Sequence, residues 1–173
     1  MGFTEIDDER LEAWALLLQA HATLLGSLER ELVSGHGMPL TWYEVLMRLA
    51  SQPEGSMRMQ DLARSVLLSK SGVTRVVDRM EEAGLLERRS CAADRRGTYA
   101  TVTKAGRAAS RRAMPVHLTG ISEHFGRHLS VEEARVLRRA LTRVLEANGA
   151  QADEACRDGA GEQGAPATAE AAR

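Results

Sequence analysis

The chain has 173 residues and a mass of 18.9 kDa, with 43% hydrophobic and 27% charged residues, which is the size and composition of one folded domain and excludes a disordered or fibrous protein. Its 23 Lys plus Arg against 24 Asp plus Glu leave a net charge of −1, which argues against coating nucleic acid or anionic membrane through bulk charge. Aromatic residues make up only 3%, too few for a stacking platform on single strands.

The first residues carry Glu5, Asp7, Asp8 and Glu9 where a secretory leader would be basic, and charges interrupt each apolar run before it could cross a bilayer. A cytoplasmic protein with no membrane partner is expected. From about Asp8 to Val33, apolar residues recur at Leu11, Trp14, Leu17, Leu18, Leu24, Leu25, Leu28 and Leu32 with His21 among them, the period of one long helix. Ser34 to Pro39 end it. Thr41 with Glu44 forms a capping box for a second helix bearing Val45, Leu46 and Leu49. A short helix fits Met59 to Val66, and after Leu67 and Leu68 the hydroxyl of Ser69 suits the N-cap of a further helix, which Gly84 closes.

Leu85 to Cys91 and Thr98 to Thr103 are β-rich and joined by Ala92, Ala93, Asp94, Arg95, Arg96 and Gly97, so they read as a hairpin with a basic tip. Helix returns from Lys104 to about Phe125, with Pro115 able to kink it. Ser130 with Glu133 makes a capping box for a last helix that places Ala134, Leu137, Leu141, Val144 and Leu145 on one face. Residues 148–173 have no periodic apolar face, and a disordered tail is expected there.

Charge is distributed unevenly along these elements. Residues 1–57 carry net −6, residues 58–112 net +7 and residues 113–173 net −2. A basic block between acidic ones is the footprint of local nucleic-acid binding.

In the helix after Ser69, spacings of three and four turn Val73, Val76, Val77 and Met80 inward and leave Ser71, Thr74, Arg75, Asp78 and Arg79 on the other face. Arginines there suit guanine edges in a major groove and hydroxyls suit bases or phosphates; the alternative is a solvated surface. The hairpin favours the first reading. With Arg95 and Arg96 at its tip and Arg88 and Arg89 at its base, it can follow the DNA backbone or enter the minor groove beside such a helix. Asp94, a carboxylate that phosphate would repel, is better suited to orienting a neighbouring guanidinium.

The stretch Leu67 to Arg75, Glu82-Ala83-Gly84-Leu85-Leu86, Asp94-Arg95-Arg96-Gly97 and Val102-Thr103-Lys104-Ala105-Gly106 resembles the winged helix-turn-helix of the MarR family of transcriptional regulators. Asp94, Arg96, Val102, Thr103 and Gly106 fall on its wing pattern without a gap. The resemblance spans about residues 8–147, with a DNA-binding core at about 40–106. It implies a mainly α fold with a small β-hairpin wing and long N- and C-terminal dimerisation helices. It also implies a homodimer reading a pseudo-palindromic double-stranded operator, a repressor more than an activator. Ser71, Thr74, Arg75 and Arg79 would then face the groove, Arg96 would be the wing arginine, with Arg95 beside it, and Asp94 would orient the wing. Apolar faces on the first and last helices, more than a small core can cover, independently suggest a partner.

The resemblance further implies a pocket for a small aromatic or anionic effector that loosens DNA. Trp14, His21, Trp42 and His117 can line it; otherwise the tryptophans are core anchors and His21 is a residue of the dimer face. His117, His124 and His128 are spaced seven and four apart, and His124 with His128 has the spacing of a metal pair. No cysteine or HExxH-type acid accompanies them, so neither a metal nor any other cofactor is expected. Cys91, near Arg88 and Arg89, leaves open an oxidant-responsive member of the fold, and the histidine pair leaves open a metal-responsive one. An enzyme is disfavoured, since no nucleophile-base set, phosphate-cradling loop or carboxylate pair stands out. A helical protein-interaction module remains the rival reading.

Overall fold

The structure is a computed structural model that describes residues 8–52, 54–66, 70–91 and 94–149. The Leu67 to Ser69 connection, Ala92, Ala93 and residues 150–173, including Cys156 and nearly all of the expected tail, lie outside the described residues. The chain runs α1 (Asp8–His36), α2 (Leu40–Ala50), β1 (Ser56–Arg58), α3 (Met59–Ser65), α4 (Lys70–Glu82), β2 (Leu86–Cys91), β3 (Asp94–Val102), α5 (Lys104–His124), a 3-10 turn (Gly126–His128) and α6 (Val131–Ala147). This is the expected mainly helical architecture with a small antiparallel sheet. It divides into two compact units at Ser130 and Val131.

The first unit is built around Leu32, Val45, Leu46, Leu49, Leu62, Val73, Val77, Met80 and Leu86, each essentially inaccessible to solvent. Helix α1 contributes only its C-terminal half to this core. Leu28 and Leu32 are buried, and α1 packs closely on α5 where Gly35 meets Val116 and Gly120 meets Leu28 and Glu31. Toward its N-terminus Leu11, Trp14, Leu16, Leu17 and Leu18 are exposed.

Helix α2 begins at Leu40, and no side chain of its own caps it, so the Thr41 and Glu44 box is not used. The orphan amide of Leu40 instead donates to Glu29 Oε2 of α1 at 2.5 Å, a cap supplied from eleven residues away. Gly37, at φ +62°, lets the chain turn out of α1 in the left-handed conformation that L side chains disfavour.

The sheet has order β1-β3-β2 with both pairings antiparallel. Strand β1 was not foreseen, because three residues carry no readable period. It pairs Ser56 with Thr101, whose hydroxyls lie 2.8 Å apart and so satisfy the buried Thr101 side chain. The hairpin is tighter than expected: β3 resumes at Asp94, opposite Cys91, with a register shift between Ser90 and Cys91. Asp94 is thus a paired residue of β3, and Arg95 to Gly97 fall in the register shift between the Cys91–Asp94 and Ser90–Thr98 pairs.

One residue, Thr103, joins β3 to α5. Its Oγ1 accepts from the Gly106 amide at 3.0 Å as the N-cap of α5 and reaches the carbonyls of Gly84 and Leu85 at 2.8 and 3.0 Å. Gly106 is needed because a Cβ there would collide with the Leu85 carbonyl and lie 2.9 Å from Val102. The Thr-x-x-Gly of the wing pattern is thus a docking device between the α4–β2 turn and the start of α5.

In the second unit, α6 follows Ser130 directly and pairs Glu132 with Arg135 at 3.2 Å. Val131, Val136, Val144 and Leu145 are exposed, and no residue of the helix is fully buried.

Candidate nucleic-acid interface

Helix α4 is amphipathic in the way its sequence indicates. Val73, Val77 and Met80 are buried at 1% exposure or less and Val76 packs against the core, while Ser71, Thr74, Arg75, Asp78 and Arg79 are all exposed. The structure brings the four expected groove residues onto one solvent face, ahead of the β2–β3 hairpin. Arg95, Arg96 and Asp94 belong to β3; their side chains, and that of Cys91, lie outside the described residues.

The base of the hairpin differs from expectation. Arg88 points to α4, with Nη2 at 2.6 Å from Asp78 Oδ1 and Nη1 at 2.5 Å from Glu81 Oε2, and its own amide donates to Glu81 Oε1 at 2.8 Å. The amide bond to Arg88, aided by the guanidinium, holds the Glu81 carboxyl below the usual carboxylate range. Arg89 pairs with Glu87 at 2.5 Å. Both arginines at the base are held by carboxylates of this chain, Arg88 against α4 and Arg89 at the surface. Arg58 of β1 donates through Nε to the Tyr99 hydroxyl at 2.7 Å, and its guanidinium lies 5.5 Å from that ring's centre, which braces the far side of the sheet.

The four residues expected to line an effector pocket come from three helices, Trp14 and His21 from α1, Trp42 from α2 and His117 from α5. Trp42 is half-buried against the core, and His117 of α5 meets Tyr43 of α2 with ring centres 4.5 Å apart. His21 is exposed on α1 within electrostatic reach of Glu44, whose carboxyl burial pushes up despite Arg48 and His21. Trp14 is 57% exposed, so it is not a core anchor. The histidine series is broken. His124 ends α5 and bonds Glu31 Oε1 of α1 at 2.5 Å, while His128 lies in the 3-10 turn, so these two do not stand one turn apart on a helix. Among the described residues no group of three or more His, Cys, Asp or Glu is arranged to hold a metal ion, and no helix is long and apolar enough to cross a membrane.

Residues 36–97 match the model of the MarR family. The chain is 31% identical to AbsC, a MarR family transcriptional regulator from Streptomyces coelicolor, whose crystal structure superposes with a TM-score of 0.77 over 85% of this chain and 99% of that one. A second MarR family regulator from that organism, solved in complex with DNA, is 29% identical with a TM-score of 0.78, covering 88% of this chain and 94% of its own. The HTH-type transcriptional regulator MhqR of Bacillus subtilis (strain 168) is 28% identical over 137 residues, 79% of this chain and 92% of its own length.

Proposed function

The chain belongs to the MarR family of transcriptional regulators, which are not enzymes, and from that premise we propose that it is a homodimeric repressor that reads a pseudo-palindromic operator and is released by a small aromatic or anionic molecule. The observation that carries this reading is the division of α4, with valines and Met80 in the core and Ser71, Thr74, Arg75 and Arg79 toward solvent, the arrangement a helix needs to enter a major groove. A relative of 29% identity was solved bound to DNA. The basic hairpin strand carrying Arg95 and Arg96 follows the groove edge, with Asp94 orienting one of them.

The exposed apolar residues of α1, and separately those of α6, are covered by a second copy, which gives the two-fold symmetry that a palindrome requires. Half-sites then lie roughly 10 bp apart, one helical turn. Trp42 and His117, with His21 and Trp14 nearer the dimer face, line the effector site. Ligand binding there favours a spacing of the two α4 helices that no longer fits the half-sites.

The test is a gel shift of the purified protein with DNA from around its own gene against random duplex, at several salt concentrations. A sequence preference that survives rising salt is expected; equal affinity for both duplexes would favour the rival reading of a helical interaction module.

A further inference from the structure

Asp78 follows Thr74 by four residues and Ser71 by seven, so its carboxylate stands on the helical surface that carries the groove residues. Its side chain is 50% exposed, and that of Glu81, three residues on, is 38% exposed. Bare carboxylates on such a surface would repel phosphates and weaken DNA binding. Arg88 answers both. Its guanidinium bonds Asp78 and Glu81 and lies 3.5 Å from the Thr74 carbonyl oxygen, and its amide holds the second oxygen of Glu81. These contacts join β2, the first strand of the hairpin, to three successive turns of α4.

Resting on the reading of α4 as the DNA-reading helix, we propose that Arg88 is a positioning residue for DNA recognition, one that engages both carboxylates of α4, offsets one of their two negative charges and sets the angle between α4 and the wing. It makes no DNA contact of its own, because its guanidinium faces α4. The acid pair in turn keeps that guanidinium away from phosphates, which restrains binding to DNA of arbitrary sequence.

The experiment begins with a randomised duplex library enriched by the wild-type protein. Failure of any sequence to enrich overturns the DNA reading, and the clamp with it, before any variant is made. Anisotropy titrations then compare the enriched duplex with a random one. Arg88→Met is expected to weaken binding to the enriched duplex by about tenfold, and adding Asp78→Asn and Glu81→Gln to it is expected to recover most of that loss. Asp78→Asn with Glu81→Gln alone is expected to strengthen random-duplex binding and steepen the dependence of log K on log salt by about one. A purely structural ion pair predicts the opposite: no recovery in the triple variant and weaker binding in the double. Wild-type affinity in Arg88→Met, or a triple variant no better than Arg88→Met, overturns the proposal. Should thermal melting show Arg88→Met unfolded, the double variant decides: tighter random-duplex binding supports the clamp, and unchanged or weaker binding overturns it.

Discussion

The imidazole of His117 lies against the ring of Tyr43 across the α2–α5 contact, tilted by 48°, with its Nδ1 buried and without a hydrogen-bond partner among the described residues. Burial holds this histidine below its ordinary range, since charging it would strand a cation in a poorly solvated place. The unfolded chain takes up that proton near pH 6.5 and the folded one resists until lower pH, so unfolding gains protons in the interval between. Stability should therefore fall as pH drops below about 6.5, and His117→Phe should flatten the fall. Urea midpoints at pH 7.5 and 5.5 for both proteins check this. Glu44, whose raised carboxyl works with the opposite sign, is common to both and cancels in the difference. An equal pH slope in the two would show that His117 is not the group responsible.

The two arginines assigned to DNA should differ in kind. Arg75→Ala is expected to cost about 1–3 kcal/mol of discrimination at one base position, while Arg96→Ala should weaken all duplexes alike and lower the salt slope by about one. Competition titrations against single-base operator variants separate them. If both variants retain wild-type affinity and specificity, the groove and wing assignments are wrong.

At the wing root, Gly106→Ala is expected to destabilise the protein by about 1–3 kcal/mol, the usual cost of forcing an extra carbon into a packed site, because the Leu85 carbonyl cannot yield without breaking its bonds to Thr103. Gly84→Ala serves as the contrast. Gly84 has φ +71° with open space around its Cβ position, so its cost should be nearer 1 kcal/mol, from backbone conformation alone. Chemical denaturation of the two variants ranks them; the reverse order would refute the steric account of the motif.

Association should be sensitive to α1. Leu11, Trp14, Leu18 and Leu25 recur at intervals of three, four and seven and are 45%, 57%, 50% and 37% exposed. Placing a carboxylate there, as in Trp14→Asp or Leu18→Glu, should raise the dimer dissociation constant at least about tenfold, given roughly 2 kcal/mol for one buried large apolar side chain. Analytical ultracentrifugation across a dilution series reads it directly. A wild-type chain that sediments as a monomer at micromolar concentration would remove the dimer from the proposed mechanism.

Much of this architecture was legible in the amino-acid order because helical periods and glycine stops are local signals. Val73, Val77 and Met80 announce the buried side of α4, and Gly84 announces its end. Features set by partners distant in sequence were not legible. The capping box at Thr41 and Glu44 was a sound local reading, yet Glu29 from the preceding helix reached the Leu40 amide first. Arg88 looked like one more basic residue of the hairpin until pairing brought it beside Asp78 and Glu81. Residues 94–97 read as a loop because arginines and a glycine lack strand alternation, whereas the structure counts them in β3, with Asp94 paired to Cys91 across a register shift. His124 and His128 satisfied a spacing rule that presumes an unbroken helix, and α5 stops between them.

The single residue between β3 and α5 has a consequence for chain length. Thr103 caps the helix, anchors two carbonyls and spans the whole junction, so there is no slack in which to add or lose a residue without shifting the helix by about 100°, one residue's share of a turn. Among relatives, insertions and deletions should therefore collect at the hairpin end, where β2 gives way to β3, and leave the junction at Thr103 constant in length.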